Sequence, residues 1–144
     1  MTFLLDVNVL IALVDGSHVS HETAHAWFAR EGRQRWATCP ITENGLVRIV
    51  ANPKYPNAVA TPAEAVKLLA RLASLRGHVF WPDDISLRDA ARFAAATILT
   101  PGQITDSYLL ALAASKGGML ATLDRRLSTL AVKDGAKSLR LVIA

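Results

Sequence analysis

The chain has 144 residues, of which 51% are hydrophobic, enough for the core of a single domain. No apolar run reaches the roughly 18 residues of a membrane span, and the N-terminal stretch MTFLLDVNVLIALVDG carries aspartates but no basic leader, which argues against a signal peptide. The single cysteine, Cys39, rules out an internal disulfide and favours a reducing cytoplasm. With 16 Lys and Arg against 12 Asp and Glu, the net charge of +4 suits a phosphodiester partner but also an ordinary solvated surface.

Short apolar strands alternate with helical patterns along the first half of the chain. The predicted elements are strand Phe3 to Asp6, helix Val7 to Val14, helix His18 to Arg30, strand Trp36 to Cys39 and a helix capped by Thr42 that ends before Asn52-Pro53. The clearest helix start is Thr61-Pro62-Ala63-Glu64, which has a capping hydroxyl, a proline at the first helical position and a glutamate three residues after the cap. That helix is predicted to end near Gly77.

The same alternation continues to the C-terminus. The predicted elements are strand His78 to Trp81, a helix capped by Ser86, helix Thr105 to Ser115, strand Met119 to Leu123, a short helix Arg125 to Leu130 and strand Leu139 to Ile143. Strands separated by helices predict a parallel sheet that is covered on both faces. Because no linker or repeat interrupts the pattern, residues 1–144 are predicted to form one α/β domain.

Four acids lie where apolar strands run out: Asp6, Glu43, Asp106 and Asp124. In open parallel sheets, ligand sites form beyond the carboxyl ends of the strands, so these acids are expected to share one edge. Asp6 and Asp124 end predicted strands. Glu43 and Asp106 fall in the first turns of predicted helices, where the helix dipole alone is also a sufficient reason for an acid.

A metal ion would explain why acids gather at such an edge. A lone acid beside apolar residues is costly to desolvate, and acids brought together repel each other and take up protons. No Lys or Arg lies within three residues of Asp6 or Asp106 to compensate them. Because Mg²⁺ prefers a few carboxylates together with waters and substrate phosphates, the sequence predicts a site that holds a divalent metal ion such as Mg²⁺.

The segments LLDVNVLIAL, TENG, ITDSYLLALA and LATLDRRL, taken in this order, resemble the motifs of PIN-domain ribonucleases, and most closely those of VapC-type toxins of bacterial toxin–antitoxin pairs. The resemblance covers nearly the whole chain and implies a PIN-like α/β fold with a parallel five-stranded sheet flanked by helices on both faces. It implies Mg²⁺- or Mn²⁺-dependent RNA hydrolysis with the following site: Asp6, Glu43, Asp106 and Asp124 as catalytic metal ligands, supported by Asn8 and Thr105. Asp124 matches the most variable of the family's acids.

The resemblance also implies partners. These are an RNA substrate cleaved to leave 5′-phosphates, a small VapB-like cognate antitoxin that covers the site, and a second copy of the chain in a homodimer, with no membrane involved. Helix Val7 to Val14 and the Trp27/Phe28 side of the next helix flank Asp6 and are candidates for antitoxin docking, although core packing explains the same apolar residues.

Other functions fit parts of the pattern. An aspartyl-phosphate domain also places Asp after its first strand, but the phosphatase pattern needs a second acid where this chain has Asn8, and the acidic pair and lysine of a receiver are not evident. A catalytically inactive nucleic-acid-binding module would be indicated if the acids fail to converge. His18, His21 and His25 share a helical side but lack the fourth ligand of a structural zinc site.

Overall fold

Five short parallel strands form one sheet in the computed structural model, which describes residues 1–144. The strands are β1 (Phe3–Leu5), β2 (Trp36–Thr38), β3 (His78–Phe80), β4 (Met119–Thr122) and β5 (Leu139–Leu141). They lie in the order β3-β2-β1-β4-β5, and every neighbouring pair is parallel. The chain moves outward in one direction from β1 to β3 and in the other from β4 to β5. The switch in strand order therefore falls between β1 and β4, and in sheets of this kind ligands bind beyond the carboxyl ends of the strands at such a switch.

Five α-helices cover the two faces of this sheet. They are α1 (Val7–Val14), α2 (His21–Trp27), α3 (Pro40–Val50), α4 (Pro62–Ala73) and α5 (Gly102–Ser115). A π-helical turn, Phe28–Gly32, extends α2, and short 3₁₀ turns occur at Ala95–Thr97 and Gly135–Ser138. The predicted fold class is confirmed. No helix has both the length and the apolar character that crossing a membrane would require.

Alternating side chains of the strands divide the interior into two cores. Phe3 and Leu5 of β1 pack with α1, α2 and α3, whereas Leu4 packs on the opposite face with Leu109 to Ala113 of α5. Helices α1 to α4 therefore cover one face and α5 covers the other, as strand alternation requires. Trp27 and Phe28, 1% and 8% exposed, belong to the first core, and so does the stretch Val9–Leu13 of α1. Core packing accounts for these residues, so the suggestion that they form an exposed docking surface is wrong.

Helix α3 begins earlier than the sequence suggests, at Pro40. Thr42 is not the cap: Cys39 holds the N-cap position, and its backbone N–H donates to Thr42 Oγ1 at 3.0 Å. Gly45 then allows α3 to approach the start of α1, since a Cβ atom there would lie 2.8 Å from Val7 Cγ2. This close contact brings the first turn of α3, with Glu43, to the edge where β1 ends. The Thr61 cap of α4 is confirmed, because Thr61 Oγ1 accepts a hydrogen bond from Glu64 N at 3.2 Å.

Two predicted helices are absent. After Ser86 the chain forms turns, in which Ser86 Oγ accepts from Arg88 N at 3.2 Å and Asp89 Oδ1 accepts from Ala91 N at 2.9 Å. The stretch Arg125 to Leu130 is also irregular, and there Asp124 Oδ1 accepts from Arg126 N at 2.8 Å. In both places a short polar side chain bonds the backbone two residues on, which competes with helix formation.

The limits of two other helices differ from the prediction. Helix α2 starts at His21 instead of His18, because His18 Nδ1 accepts from Ser20 N at 3.0 Å in the preceding turn. Helix α5 starts at Gly102, ahead of the predicted Thr105. Asp106 consequently lies in the second turn of α5, so the helix dipole does not explain it, and its first-turn placement is corrected here. Glu43 does lie in the first turn of α3.

Candidate active site at the carboxyl edge of the sheet

Asp6 is fixed where β1 and β4 end, at the switch in strand order. Its backbone N–H donates to Ala121 O at 2.9 Å, which continues the pairing of β1 with β4 by one residue. The residue then leaves the strand as the N-cap of α1, and its Oδ1 accepts from Val7 N at 2.7 Å. With 7% of its surface exposed, Asp6 is the most enclosed of the four acids. The strand end and the helix start together hold its carboxylate in one orientation.

Thr122, the last residue of β4, joins Asp6 to the neighbouring strand. Its hydroxyl donates to Asp6 Oδ2 at 2.8 Å and accepts from Asn8 Nδ2 at 3.1 Å and from Asp124 N at 3.1 Å. Asn8 also accepts from Leu123 N through Oδ1 at 3.1 Å, and its Nδ2 lies 3.5 Å from Asp6 Oδ2. The two strand ends are thus connected by polar side chains, and Asn8 lies at the centre of the connection.

Asp106 and Asp124 lie close enough to Asp6 for their charges to interact. Burial, together with the negative charges of Asp6 and Asp124, raises the pKa of Asp106 to about 6. Burial also raises the pKa of Asp6; the hydrogen bonds from Thr122 and Val7 oppose this rise, and the charge of Asp124 adds to it. We call Asp6, Asp106 and Asp124 the aspartate cluster. Asp6 and Asp106 favour protonation because burial and neighbouring negative charges both disfavour their ionised forms.

No basic side chain neutralises the aspartate cluster. The ion pairs of the protein engage only the carboxylates of Glu31, Glu64, Asp84 and Asp89. A cluster of this kind carries negative charge that only protons or a bound cation can offset.

Glu43 is held by hydrogen-bond partners other than those of the aspartate cluster. Its Oε2 accepts from Thr38 Oγ1 at 2.6 Å, and Thr38 Oγ1 lies 2.7 Å from His78 Nε2. Because a threonine hydroxyl has a single hydrogen, a Thr38 that donates to Glu43 must accept from His78, which places a hydrogen on Nε2. Burial lowers the pKa of His78, an effect that the charge of Glu43 partly opposes, so the ring is neutral near pH 7.

The donor set at this edge is chemically suited to a hard divalent cation. Carboxylate, amide and hydroxyl oxygens are present without a cysteine or histidine in the aspartate cluster, which favours Mg²⁺ or Mn²⁺ over zinc. No three acidic, histidine or cysteine side chains lie close enough together to ligate one ion directly.

The PIN domain family model matches residues 3–133, which include Asp6, Glu43, Asp106 and Asp124. The chain belongs to the PIN-domain family. It is 42% identical to Ribonuclease VapC44 of Mycobacterium tuberculosis over 137 residues, which are 95% of this chain and 96% of that protein. It is 46% identical to Ribonuclease VapC39 of the same organism over 128 residues, covering 89% of this chain and 92% of the relative. Within the PIN-domain family the chain therefore falls among the VapC ribonucleases.

Solved structures show the same fold at low sequence identity. The crystal structure of VapBC2 from Rickettsia felis, bound to a DNA fragment from its promoter, matches with a TM-score of 0.58 at 12% identity and covers 98% of both chains. The structure of Mycobacterium tuberculosis VapC20, a toxin that cleaves the sarcin–ricin loop, matches with a TM-score of 0.60 at 15% identity over 92% of this chain and 97% of that one. These likenesses concern the fold.

The remaining residues singled out in this PIN-domain sequence take other places. Thr105 is exposed on α5, and no hydrogen bond joins its hydroxyl to any acid. His21 Nδ1 lies 2.7 Å from Ala12 O and His25 Nε2 lies 2.9 Å from Leu13 O, so both rings bond the carbonyl end of α1. This arrangement explains the histidine spacing by helix capping, without zinc.

Two site residues were missed from the sequence, Thr38 and Thr122. Both are completely buried, and each is the last residue of a strand that ends at the site. Their signal in the sequence is a threonine that closes an apolar strand just ahead of an acid, in WATCPITE and MLATLD. Threonine is common in strands, however, so the signal becomes meaningful only once β2 and β4 are known to flank β1.

Proposed function

We propose that this PIN-domain protein is a metal-dependent endoribonuclease and the toxin of a type II toxin–antitoxin pair, and that it acts in the cytoplasm. The observation that carries the proposal is the aspartate cluster: three carboxylates at the switch in strand order, with raised pKa values at Asp6 and Asp106 and no ion pair to any of them. Its full-length similarity to VapC ribonucleases gives the chemistry a substrate class, RNA. The lone, buried Cys39 is compatible with a reducing compartment.

We propose that Asp6, Asp106 and Asp124 hold Mg²⁺, with Mn²⁺ as a substitute, and that Glu43 completes the site from the α3 side. A bound divalent ion would supply water activation and stabilisation of the departing oxygen during phosphodiester hydrolysis. The protein's contribution begins with orientation: Thr122 and Val7 N–H fix both oxygens of the Asp6 carboxylate before any ligand arrives. Asp106 and Asp124 supply the negative charge that selects a cation.

Glu43 is suited to orient the attacking water. It is half-buried at the rim of the edge, and only one of its oxygens, Oε2, is engaged, by Thr38. Its other oxygen can accept a hydrogen bond from water. A carboxylate held in this way can position a water in line with a phosphorus atom and accept its proton.

RNA binding is proposed to depend on basic residues near the cluster. Arg125 and Arg126 follow Asp124 directly, are exposed, and take part in no ion pair. Arg48, also exposed and unpaired, lies on α3 and lines a groove together with Glu43. Phosphates attracted to these residues would bring the backbone of RNA to the aspartate cluster.

The same groove is the docking place that we propose for the cognate antitoxin. It runs between α3 and α4 and is lined by Val47, Val66 and Leu69 next to Glu43. Only Ala65 of α4 is fully buried, so most of the apolar side of this helix remains accessible, including Val66 at 51% exposure. An amphipathic segment laid along α4 would cover this apolar surface and block access to Glu43. A homodimer is proposed from the family resemblance, and the exposed Leu99 and Leu130 are apolar side chains available to it.

The test is RNA cleavage by the purified protein in Mg²⁺, compared with the same reaction in EDTA. Asp6→Asn and Asp106→Asn should each reduce cleavage by about 10³-fold or more, as expected when a group in direct contact with the reaction is lost. Glu22→Gln is a matched control, because it removes one exposed negative charge on α2 outside the site. Wild-type cleavage by purified Asp6→Asn would refute the role assigned to Asp6. A wild-type protein that binds RNA but does not cleave it would leave an inactive RNA-binding module as the remaining function.

A cellular experiment addresses the toxin role. Expression of the wild-type chain should arrest growth, and Asp6→Asn should abolish the arrest at the same protein level. Co-expression of the protein encoded beside this gene should restore growth and give a stable complex that no longer cleaves RNA. If the active enzyme proves harmless and no co-encoded protein binds it, the nuclease assignment stands and the toxin assignment fails.

A further inference from the structure

Glu43 is linked to the outer strand of the sheet by a chain of two hydrogen bonds. Thr38 Oγ1 lies 2.6 Å from Glu43 Oε2 and 2.7 Å from His78 Nε2, so a single buried hydroxyl connects the acid with the first residue of β3. Thr38 is completely buried, and no other side chain competes for its hydroxyl. The link is short and its central hydroxyl is completely buried, and hydrogen bonds are electrostatically stronger in such an environment than in water.

The histidine end of this chain is itself held in place. The His78 ring lies on Trp36, with ring centroids 4.6 Å apart, and Trp36 is fully buried. Trp36 N donates to Gly77 O at 3.0 Å, and Gly77 has φ +86°, a conformation that glycine adopts without strain. A Cβ atom at Gly77 would lie 2.5 Å from the carbonyl oxygens of Arg33 and Gln34, so this position needs a glycine. The backbone and the tryptophan therefore present the His78 ring to Thr38 in a defined direction.

We propose that His78 is a positioning residue of the nuclease site, which acts through Thr38 to orient the carboxylate of Glu43. The hydrogen on Nε2 occupies one lone pair of the Thr38 oxygen, which obliges the hydroxyl to point its only hydrogen at Glu43. Without this donor, the Thr38 hydroxyl is held only by its hydrogen bond to Glu43, and the orientation of the Glu43 carboxylate is less restricted. The inference rests on the proposed metal-dependent nuclease function, in which Glu43 faces the bound ion or its water.

The alternative is that His78 only fills space against Trp36. His78→Phe and His78→Gln separate the two roles. Phenylalanine keeps an aromatic ring against Trp36 but lacks a donor, whereas the amide nitrogen of glutamine stands the same number of bonds from the backbone as Nε2 and can donate to Thr38. A structural role predicts that phenylalanine is the milder change, and a positioning role predicts the opposite.

The experiment measures RNA cleavage and, independently, the affinity of the purified full chain for Mn²⁺ by titration. Outer hydrogen-bond partners of metal ligands typically contribute about 10- to 100-fold in metal affinity or activity, so His78→Phe should lose that much in kcat or in Mn²⁺ affinity, with the KM for RNA unchanged. His78→Gln should remain within about threefold of the wild type. Equal losses in the two variants, or none in either, would overturn the proposal.

A double-mutant comparison shows whether His78 acts through Glu43. In a Glu43→Gln background, adding His78→Phe should cause no further loss of cleavage, since the group that it orients is already gone. Additive losses would overturn the proposal. If His78→Phe does not fold, as judged by urea unfolding, Thr38→Val and Thr38→Ser test the same link, and only the valine should reduce Mn²⁺ affinity.

The outcomes for the nuclease function are distinct from those for His78. A wild-type protein that binds Mn²⁺ but does not cleave RNA would refute the nuclease function, and the Mn²⁺ titration of His78→Phe would still decide the positioning role. A wild-type protein that neither binds Mn²⁺ nor cleaves RNA would overturn both.

Discussion

The raised pKa of Asp106 predicts that the metal-free protein becomes more stable when this residue loses its charge. The folded-state pKa is about 6, against 3.8 for an ordinary aspartate, because of burial and the charges of Asp6 and Asp124. Such a rise corresponds to about 3 kcal/mol of unfavourable free energy when the carboxylate is fully ionised. Asp106 is half-buried, and water screens part of this interaction, so we expect Asp106→Asn to raise the unfolding free energy by about 1–2 kcal/mol at pH 7.5.

The direction of the pH dependence follows from linkage. Between the unfolded value of 3.8 and the folded value of about 6, the folded protein binds more protons at Asp106 than the unfolded chain does. Stability should therefore rise as the pH falls from 7.5 toward 5, and Asp106→Asn should lack this part of the gain. Asp15, whose pKa is lowered by its hydrogen bonds to Tyr55, Asn57 and Ser17, loses its contribution only below 3.8, outside this window.

Urea unfolding in EDTA at several pH values between 5 and 8 measures this effect, with Glu22→Gln as the control for removing one negative charge. Adding Mg²⁺ at pH 7.5 should stabilise the wild type, because a ligand that binds only the folded state adds to its stability. The same addition should stabilise Asp106→Asn much less. Parallel pH profiles of wild type and Asp106→Asn, or a destabilised variant at pH 7.5, would refute the view that the aspartate cluster repels itself in the absence of metal.

Three further predictions concern the surroundings of the cluster. Thr122→Val removes the hydroxyl that donates to Asp6 Oδ2 and should weaken Mn²⁺ binding about 10- to 100-fold. Thr122→Ser should bind Mn²⁺ nearly as tightly as the wild type. Equal Mn²⁺ affinity in the two variants would contradict a role of this hydroxyl in orienting Asp6. Replacing both Arg125 and Arg126 with alanine should raise the KM for RNA. It should also reduce by about 1–2 the slope of log binding constant against log salt concentration, measured by fluorescence anisotropy. An unchanged slope would exclude phosphate contacts by these residues. Tyr55→Phe removes the hydrogen bond to Asp15 that joins the end of α1 to the segment after α3. It should lower the free energy of unfolding in urea by about 1–2 kcal/mol without affecting cleavage. A loss of cleavage at full stability would argue against a purely structural role.

The sequence predicts the fold well where a short apolar run is clearly bounded along the chain. Strands β1 and β4 are short apolar runs, and α1 follows β1 without a loop, so their limits were predicted to within a residue or two. The pattern fails where polar side chains compete with the helix. At Ser86 and at Asp124, a hydroxyl or a carboxylate accepts a hydrogen bond from a nearby backbone N–H. The spacing of apolar residues does not predict these local hydrogen bonds.

The sequence predicts the edge of the sheet at which the acids lie, but not which side chains they contact there. Parallel topology directs Asp6, Glu43 and Asp124 to one edge of the sheet, and their positions at strand ends and at the start of α3 are predictable from the sequence. The placement of Asp106 in a first helical turn was wrong, because α5 begins at Gly102. The contacts of each acid depend on the strand order. β4 lies beside β1 because the strand order switches between them. The hydroxyl of Thr122 therefore becomes a partner of Asp6, 116 residues away, without any local signal.

The alternation of side chains along the strands explains why the acids form two groups. Thr122 follows Leu120 on the face that α5 covers, so its hydroxyl supports Asp6 on the side where Asp106 arrives. Thr38 follows Trp36 on the opposite face, so its hydroxyl reaches Glu43 at the start of α3. One threonine at the end of each flanking strand thus orients one acid from each face of the sheet. A cation at this edge would face the aspartate cluster and Glu43. The aspartate cluster would contribute most of the negative charge, and Glu43 would contribute a carboxylate oriented by Thr38. In a chain with a net charge of +4, these four acids therefore form a local negative region that no ion pair offsets.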